Sequence, residues 1–570
     1  MIQASPYPSS TPASSVCCDS IAAPGAARPA APGAALAALS AAPRHPRHPR
    51  RLLAVLLALT VLSACDRYLD ELPDNRMELT SLEKVNKLLV TAYPTAAPIF
   101  LAEISSDNVD DYGDSNPNSS LFATQVYNWR DVTEVSNESP EEIWQSSYDA
   151  ITAANLALQA IDDLDATNSA DARQARGEAL LCRAYNHYVL ANIFCQAYNA
   201  ETSSQDLGIV YMDHPAEHLN DNPDRGTVAD TYASIERDLL DGLALVGSNY
   251  DVPKYHFNEK AALAFACRFY LSYEQWDKAI SYANRCLGSE PAAMLRDWRY
   301  MATMTQTHAA LTNHYIDASL NCNLMLVTAY SSMGLIFGPY RYLSRYAHGR
   351  YLSENEDAEA ANIWGADPFY QGIHEYSGNN LDKSVFFKLP YLFEYYDAVA
   401  GTGWYRTVYP AFTADECLLN RAEAYALTGR YDEAAADLTL WMQNIINTTK
   451  TLTPDVIKEF YNGVDYAYSD ANGLRSTIKK HLHPRFDIGA EGDTKECMLQ
   501  CVLGFRRIEA LQTGLRWYDV KRYGIEIVRR VIGADGEPKE LRDKLATGDP
   551  RRAIQIPLRV RAAGVTPNPR

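Results

Sequence analysis

Tyr270-Leu271-Ser272-Tyr273-Glu274-Gln275-Trp276-Asp277-Lys278-Ala279 and Tyr425-Ala426-Leu427-Thr428-Gly429-Arg430-Tyr431-Asp432-Glu433-Ala434 align without a gap. In each, a tyrosine near the end of an apolar helical period leads into a short turn. An aromatic, an acidic residue, a second charge and an alanine follow. The alanine lets a second helix approach the first closely, while the aromatic wedges between neighbouring pairs. This is the pattern of tetratricopeptide-like helical hairpins, which bury their cores by stacking. Around these stretches, amphipathic periodicity predicts helices over 81–92, 141–163, 171–198, 228–246, 258–272, 275–288, 413–428, 431–447 and 500–513.

Between 291 and 410 the period fades, and Gly, Pro, Asn and aromatic residues crowd together. Examples are Phe337-Gly338-Pro339-Tyr340-Arg341-Tyr342, the run from Trp364 to Tyr370, and the run from Tyr391 to Tyr396. Loops of this length inside a globular protein are usually functional. A second loop-rich segment, Asp107 to Asn116, lies between the first helices. The expected fold is therefore mainly α, with tetratricopeptide-like hairpins carrying a long irregular, loop-rich insertion. The expected regions are 81–290 and 411–570 as helical repeat segments, with 291–410 between them as the ligand surface.

Ahead of the repeats, a basic run from Arg44 to Arg51 precedes an apolar core, Leu52 to Leu62, then Ser63-Ala64-Cys65. The apolar core is about 11 residues, in the signal-peptide range and well short of the roughly 20 that span a bilayer. Small residues before a cysteine fit a peptidase that leaves Cys65 as an acylated N-terminus, so 44–64 reads as a lipoprotein signal and 65–80 as a tether. The blander alternative is an ordinary secretory signal with an incidental cysteine. Residues 1–43 are rich in Ala, Pro and Ser without an apolar period, and the translation start is expected near Arg44–Leu52.

The chain carries a net charge of −19. Residues 1–65 hold five arginines and one aspartate, so 47 basic and 70 acidic residues follow, net −23. A surface that acidic repels nucleic acid and anionic lipid, which argues against either as main partner. Membrane attachment then rests on the acyl chains at Cys65, at about 0.8 kcal/mol per buried CH₂. Cysteines 182, 195, 267, 286, 322, 417, 497 and 501 sit mostly in apolar helical patterns, without CxxC or zinc spacing, and read as buried small hydrophobes. An exported chain still permits one or two disulfides among them.

Enzyme chemistry finds little footing. His214-Pro215-Ala216-Glu217-His218 formally matches an inverted zinc-peptidase pattern, but Pro215 and the following Asn220-Asp221-Asn222-Pro223 deny it a helix. There is no nucleophile elbow, no phosphate-cradling loop and no HExxH. Arg506, Arg507, Glu509, Arg516 and Asp519 read as an ion-pair and capping network rather than a catalytic set. No cofactor is expected. Calcium at Asp107–Asp114 is the one metal the sequence raises, and the spacing lacks the full EF-hand pattern.

Binding is better supported. Sugars present an apolar C–H face and a fringe of hydroxyls, so their sites need an aromatic platform edged with amides or charges. With 37 tyrosines and eight tryptophans, the chain has the material. The candidate platform is Trp298, Tyr300, Tyr340, Tyr342, Trp364 and Tyr370, joined by Asp107, Asn108, Asp111 and Tyr112 from the early loop.

Several motifs in order then resemble the SusD/RagB nutrient-binding outer-membrane lipoproteins. They are Tyr68-Leu69-Asp70 after the lipid cysteine, and Arg176 to Phe194 with Glu178-Ala179 and Arg183-Ala184-Tyr185. Next come Arg225-Gly226-Thr227-Val228 leading into Tyr232, Ile235 and Asp238-Leu239, then the two hairpins. The last are Phe505-Arg506-Arg507 with Glu509, Gly514-Leu515-Arg516-Trp517-Tyr518-Asp519 with Arg522 and Gly524, Ile554 to Pro557, and Asn568-Pro569. Gln512-Thr513 departs from the family's usual Phe-Glu, and the middle section is individual. The resemblance implies a SusD-like fold and a surface lipoprotein of the outer membrane. Such a protein binds oligosaccharide or polysaccharide, without catalysis, for a TonB-dependent SusC-like transporter. Peptide binding on the same architecture and a surface glycoside hydrolase are the alternatives.

Overall fold

Side-chain caps decide where the helices of this protein begin. The computed structural model describes residues 79–164, 169–215 and 224–570. These fall in one unit, Glu78–Arg570. Cys65, the signal segment, Tyr68-Leu69-Asp70, Glu217 and His218 lie outside the described residues. Three short helices come first: α1 (Leu82–Leu89), α2 (Ile99–Ser105) and α3 (Leu121–Tyr127). The long repeat helices follow: α4 (Pro140–Asp163), α5 (Ala170–Phe194), α6 (Val228–Leu243), α7 (Glu259–Ser272) and α8 (Trp276–Leu287). Ser139, Ser169, Thr227 and Asn258 sit extended before four of them and accept from free N–H groups of the first turn. Thr227 and Asp230 complete a reciprocal capping box.

Helix α5 forms the centre of this half. Every side chain from Gly177 to Phe194 is buried, so its apolar character runs all round rather than along one stripe. Gly177 and Gly242 set its distance from α6: a Cβ on Gly177 would stand 2.5 Å from the Val246 nitrogen, and one on Gly242 would stand 2.8 Å from Leu181. Arg183, buried on α5, forks onto Asp238 of α6 at 2.6 and 2.7 Å and reaches Asn155 of α4 at 2.8 Å. That tie fixes three helices together.

The chain then leaves the repeats and returns at α13 (Ala414–Leu427) and α14 (Tyr431–Ile445), whose hairpin stacks on α8. Ala279 and Ala434, the equivalent alanines of the two aligned stretches, are both fully buried. Arg421 of α13 pairs with Asp437 at 2.7 Å and reaches Asn284 of α8 at 2.8 Å, bridging the stack. Helices α15 (Pro454–Asn462), α16 (Thr494–Ala510) and α17 (Leu515–Arg522) close this half against α13 and α14. All eight described cysteines are buried and free, none in a disulfide. No described helix is long and apolar enough to cross a membrane.

Two expectations need correction. The helix read as 500–513 begins six residues earlier, at Thr494, and stops at Ala510, where Leu511 turns extended and Gln512 takes φ 62°. The insertion 291–410 is also not simply irregular. It holds an antiparallel sheet ordered β2 (Asn323–Tyr330), β7 (Thr402–Thr413), β6 (Leu392–Asp397), and a β4–β5 hairpin (His374–Gly378, Leu381–Val385). Most of β2 is buried, so it lacks the polar alternation that marks a half-exposed strand. A second sheet, ordered β3-β1-β8-β9, ties Asp110–Asp111 (β1) and Tyr346–Ala347 (β3) to the late strand Ile527–Ile532 (β8) and its partner Pro538–Leu545 (β9).

Candidate functional site

Strand β7 runs from an exposed tip to a buried base. Its base pairs with β2 from Asn323↔Thr413 to Tyr330↔Arg406, while the tip pairs only with β6, through Phe393↔Tyr405 and Glu394↔Trp404. At the tip, side chains on both faces of the β6–β7 hairpin are exposed, among them Tyr395 and Tyr405 on one and Tyr396 and Trp404 on the other. Period-two alternation places Phe393, Tyr395 and Tyr405 on one face and Glu394, Tyr396 and Trp404 on the other. Tyr395, Tyr396 and Trp404 are more than half exposed.

The first face continues into a connected run of rings. Phe393 lies 4.8 Å from Tyr395 and 5.1 Å from Tyr405, Tyr405 lies 5.8 Å from Tyr391, and Tyr391 lies 6.0 Å from Tyr340. Tyr340 meets His308 at 6.2 Å, at the start of α10 (His308–Tyr315). About 9 Å along that helix, His314 meets Tyr300 at 5.2 Å. Tyr300 belongs to α9 (Trp298–Thr303) and is also largely exposed. Burial lowers His308, His314 and, nearby, His374 below the usual histidine value, so at neutral pH these rings are uncharged.

The run is anchored from beneath. Glu138 accepts from the Ser331 hydroxyl at 2.9 Å and the Ser332 N–H at 2.6 Å, and the Ser331 N–H donates to the Tyr405 carbonyl at 3.0 Å. The Thr407 hydroxyl holds the Pro390 carbonyl at 3.0 Å, just before Tyr391. The buried Lys383 ammonium bonds the Ile336 and Tyr342 carbonyls at 2.5 and 2.9 Å, and burial pushes it down to about 7. Gly334, on the short helix α11 (Met333–Ile336), lies flush against the Pro390–Tyr391 backbone. A Cβ there would stand 2.5 Å from the Tyr391 Cα. Gly334→Ala is therefore expected to displace Tyr391, lower Tm, and weaken any ligand on this face about tenfold at a temperature where the variant is folded; titration beside a melting curve checks it.

The sequence-predicted residues divide. Tyr340 and Tyr342 lie on the exposed surface, with Tyr342 beside Ser332 and Tyr405. Tyr300 joins it through α10. Tyr370, half-buried, stacks under Arg299 at 4.8 Å instead. Trp298 and Trp364 are interior: Trp298 packs near Tyr315, and Trp364 contacts Phe369 and Phe505. Asp107, Asn108 and Asp111 are buried as well. Arg516 forks onto Asp107 at 2.8 Å twice, Arg507 donates to Asn108 at 2.9 Å, and Arg345 forks onto Asp111 at 2.8 and 3.0 Å. Burial alone would raise Asp107, yet Arg507 and Arg516 hold it well below the carboxylate range. The carboxylates a calcium ion would need here are thus engaged by guanidinium groups. Tyr112 is half-buried over Gly349.

Arg506, Arg507, Arg516 and Asp519 are internal ion pairs. Arg506 joins Asp519 at 2.9 Å and Glu423, and Arg507 joins Glu356 at 2.5 Å. Glu509 instead accepts from the Trp441 indole at 3.0 Å, and burial raises it to about 7. Tyr391, Phe393, Tyr395 and Tyr405 were not among the predicted platform residues, although the spacing of the first three is the alternation of a strand.

Residues 67–271 match the SusD-like_3 family, described as starch-binding and associating with the outer membrane. No curated protein matches the sequence. A SusD superfamily protein from Bacteroides thetaiotaomicron is 15% identical, with a TM-score of 0.56 over 86% of this chain and 100% of its own. A SusD superfamily protein from Bacteroides vulgatus is 16% identical, with a TM-score of 0.55 over 86% and 98%. A SusD-like carbohydrate binding protein from the same species is 15% identical, with a TM-score of 0.54 over 85% and 96%. Residues 67–271, through the first repeat helices, thus carry the SusD-like match, and the chain shares the helical fold of these SusD superfamily proteins.

Proposed function

We propose that this protein binds neutral oligosaccharide or polysaccharide on the aromatic run Tyr340, Tyr391, Tyr405, Phe393 and Tyr395, without catalysing its turnover. The observation that carries this reading is the connected set of half-exposed rings on a hairpin open to water on both faces. Apolar sugar faces stack on such rings, and the uncharged His308 at the end of the run offers a polar edge. A family described as starch-binding supports the ligand class. Cys65 would carry the acyl anchor at the outer membrane, and the glycan would pass to a TonB-dependent SusC-like channel. The tether acts by raising the effective glycan concentration at the pore.

Isothermal titration against neutral glycans and peptides of matched length tests the ligand class. Heat with at least one glycan and none with peptides is expected. Saturable peptide binding without glycan binding would replace the reading. Incorporation of labelled palmitate that disappears in Cys65→Ser tests the anchor, and co-purification of a channel protein with the full chain tests the partnership.

A further inference from the structure

A cleft of about 380 Å³, sharing no residue with the aromatic run, opens between the α7–α8 turn, the segment after α5, and the chain's final residues. Its charged lining is Arg485, Lys521, Arg522 and Arg552 against Asp206 and Glu274, a local excess of cations on a chain of net charge −19. Arg522 is paired with Glu423 at 2.8 Å, and Arg485 with Glu201 at 3.2 Å. The two most buried cations are not matched in this way. Lys521 bonds only the Asn192 and Cys195 carbonyls. Arg552 bonds the Val520, Ile525 and Ala546 carbonyls at 2.7, 2.6 and 3.1 Å. Among the described residues neither has a carboxylate in ion-pair reach. Carbonyl dipoles satisfy hydrogen bonds but supply no counter-charge, and burial pushes Lys521 down to about 7, so an anion beside it would favour its charged form.

Glu274 adds an independent sign. It holds φ 59° in the turn between α7 and α8, whereas its equivalent in the aligned hairpin, Gly429, holds φ 78° with open space around it. A residue with a Cβ in that conformation costs about 1 kcal/mol relative to glycine, so this turn keeps a strained glutamate where its sister uses the relaxed residue. The Glu274 carboxyl lines the cleft near the Ala200 N–H and the Arg522 guanidinium, and its Oε1 is buried with no hydrogen-bond partner among the described residues. Strain held beside a cleft points to a task for the side chain. An unpartnered carboxylate oxygen accepts hydroxyl protons, and the neighbouring cations take an anion.

We propose that this cleft is a second ligand site, distinct from the aromatic run, for a small hydroxylated anion: a sugar acid or sugar phosphate whose anionic group meets Lys521 and Arg552 while a hydroxyl donates to Glu274. Its volume suits one monosaccharide unit. Titration of the full chain with glucuronate, glucose 6-phosphate, inorganic phosphate and glucose tests it. The two hydroxylated anions should bind at least about tenfold more tightly than either glucose or inorganic phosphate. Glu274→Gly, which copies the sister turn and should keep Tm or raise it, is expected to erase the advantage over inorganic phosphate. Gln205→Glu, a charge added at an exposed lining position, should weaken every anion about tenfold. Tyr391→Ala should leave these affinities unchanged, which separates failure here from failure at the aromatic surface. The proposal is overturned if none of the anions binds, if inorganic phosphate binds as well as the sugar anions, or if both cleft variants match the parent.

Discussion

Tyr391→Ala combined with Tyr405→Ala should reduce glycan affinity about a hundredfold while leaving the fold intact. A sugar ring face covers roughly 55 Å² of apolar surface on each tyrosine, which at about 25 cal/mol per Å² is near 1.4 kcal/mol per ring, a factor of about ten each. The rings lie 5.8 Å apart in the middle of the run, between Tyr340 and Phe393, so their loss also breaks the track in two. Both are only partly covered, at 40% and 39% exposure, so removing them opens no cavity in the core. Their backbone roles persist in the variant, because the Tyr405 carbonyl still accepts from Ser331 and Pro390 is still held by Thr407. Affinity gel electrophoresis or titration with the best glycan reads the loss, and an unchanged melting temperature shows that folding is preserved. A double variant that binds as tightly as the parent would move the glycan off this face. The opposite hairpin face, with Trp404, Tyr396 and the Arg406 guanidinium 4.4 Å over Tyr330, would then be the next surface to remove.

The helical scaffold was readable because its signals are local. Capping residues, periodicity and the two aligned stretches all act within a turn or two of the residues they specify. Most predicted helices start within a residue or two of the observed ones. Strand β2 was not readable, because burial on both faces removes alternation. The early loop misled for a different reason: Asp107, Asn108 and Asp111 look like surface polarity until their partners are known. Those partners, Arg516, Arg507 and Arg345, arrive from more than two hundred residues away. Trp298 and Trp364 failed similarly, since an aromatic in a segment without a clear period carries no sign of which way it faces. Tyr391, Phe393 and Tyr395 did carry a sign in their spacing. So did Glu274, which stands opposite a glycine in the aligned hairpin.

Glu423→Gln is expected to destabilise the fold by about 3–5 kcal/mol at neutral pH, because it leaves two buried guanidinium groups short of their shared counter-charge. Glu423 is fully buried on α13 and accepts from Arg506, from Arg522 at 2.8 Å and from the Tyr523 hydroxyl at 2.6 Å. The arrangement joins α13, α16 and α17, so it holds the closing helices onto the repeat stack. Burial alone would raise the carboxyl, but Arg506 and Arg522, with the hydrogen bonds from Arg522 and Tyr523, bring it down to about 2. A folded value below the unfolded one, near 4.3, means that the folded state binds fewer protons. The stabilisation from this group is therefore complete above the unfolded value and is lost as pH falls from there toward 2. Urea unfolding at pH 7 and at pH 3 separates this account from simple loss of packing. The gap between parent and variant should shrink at the lower pH, since Glu423 of the unfolded parent takes up a proton there while the folded parent stays mostly ionised, which favours the unfolded state. A gap of the same size at both values would mean that shape at α13, and not the charge of Glu423, sets the cost of the substitution.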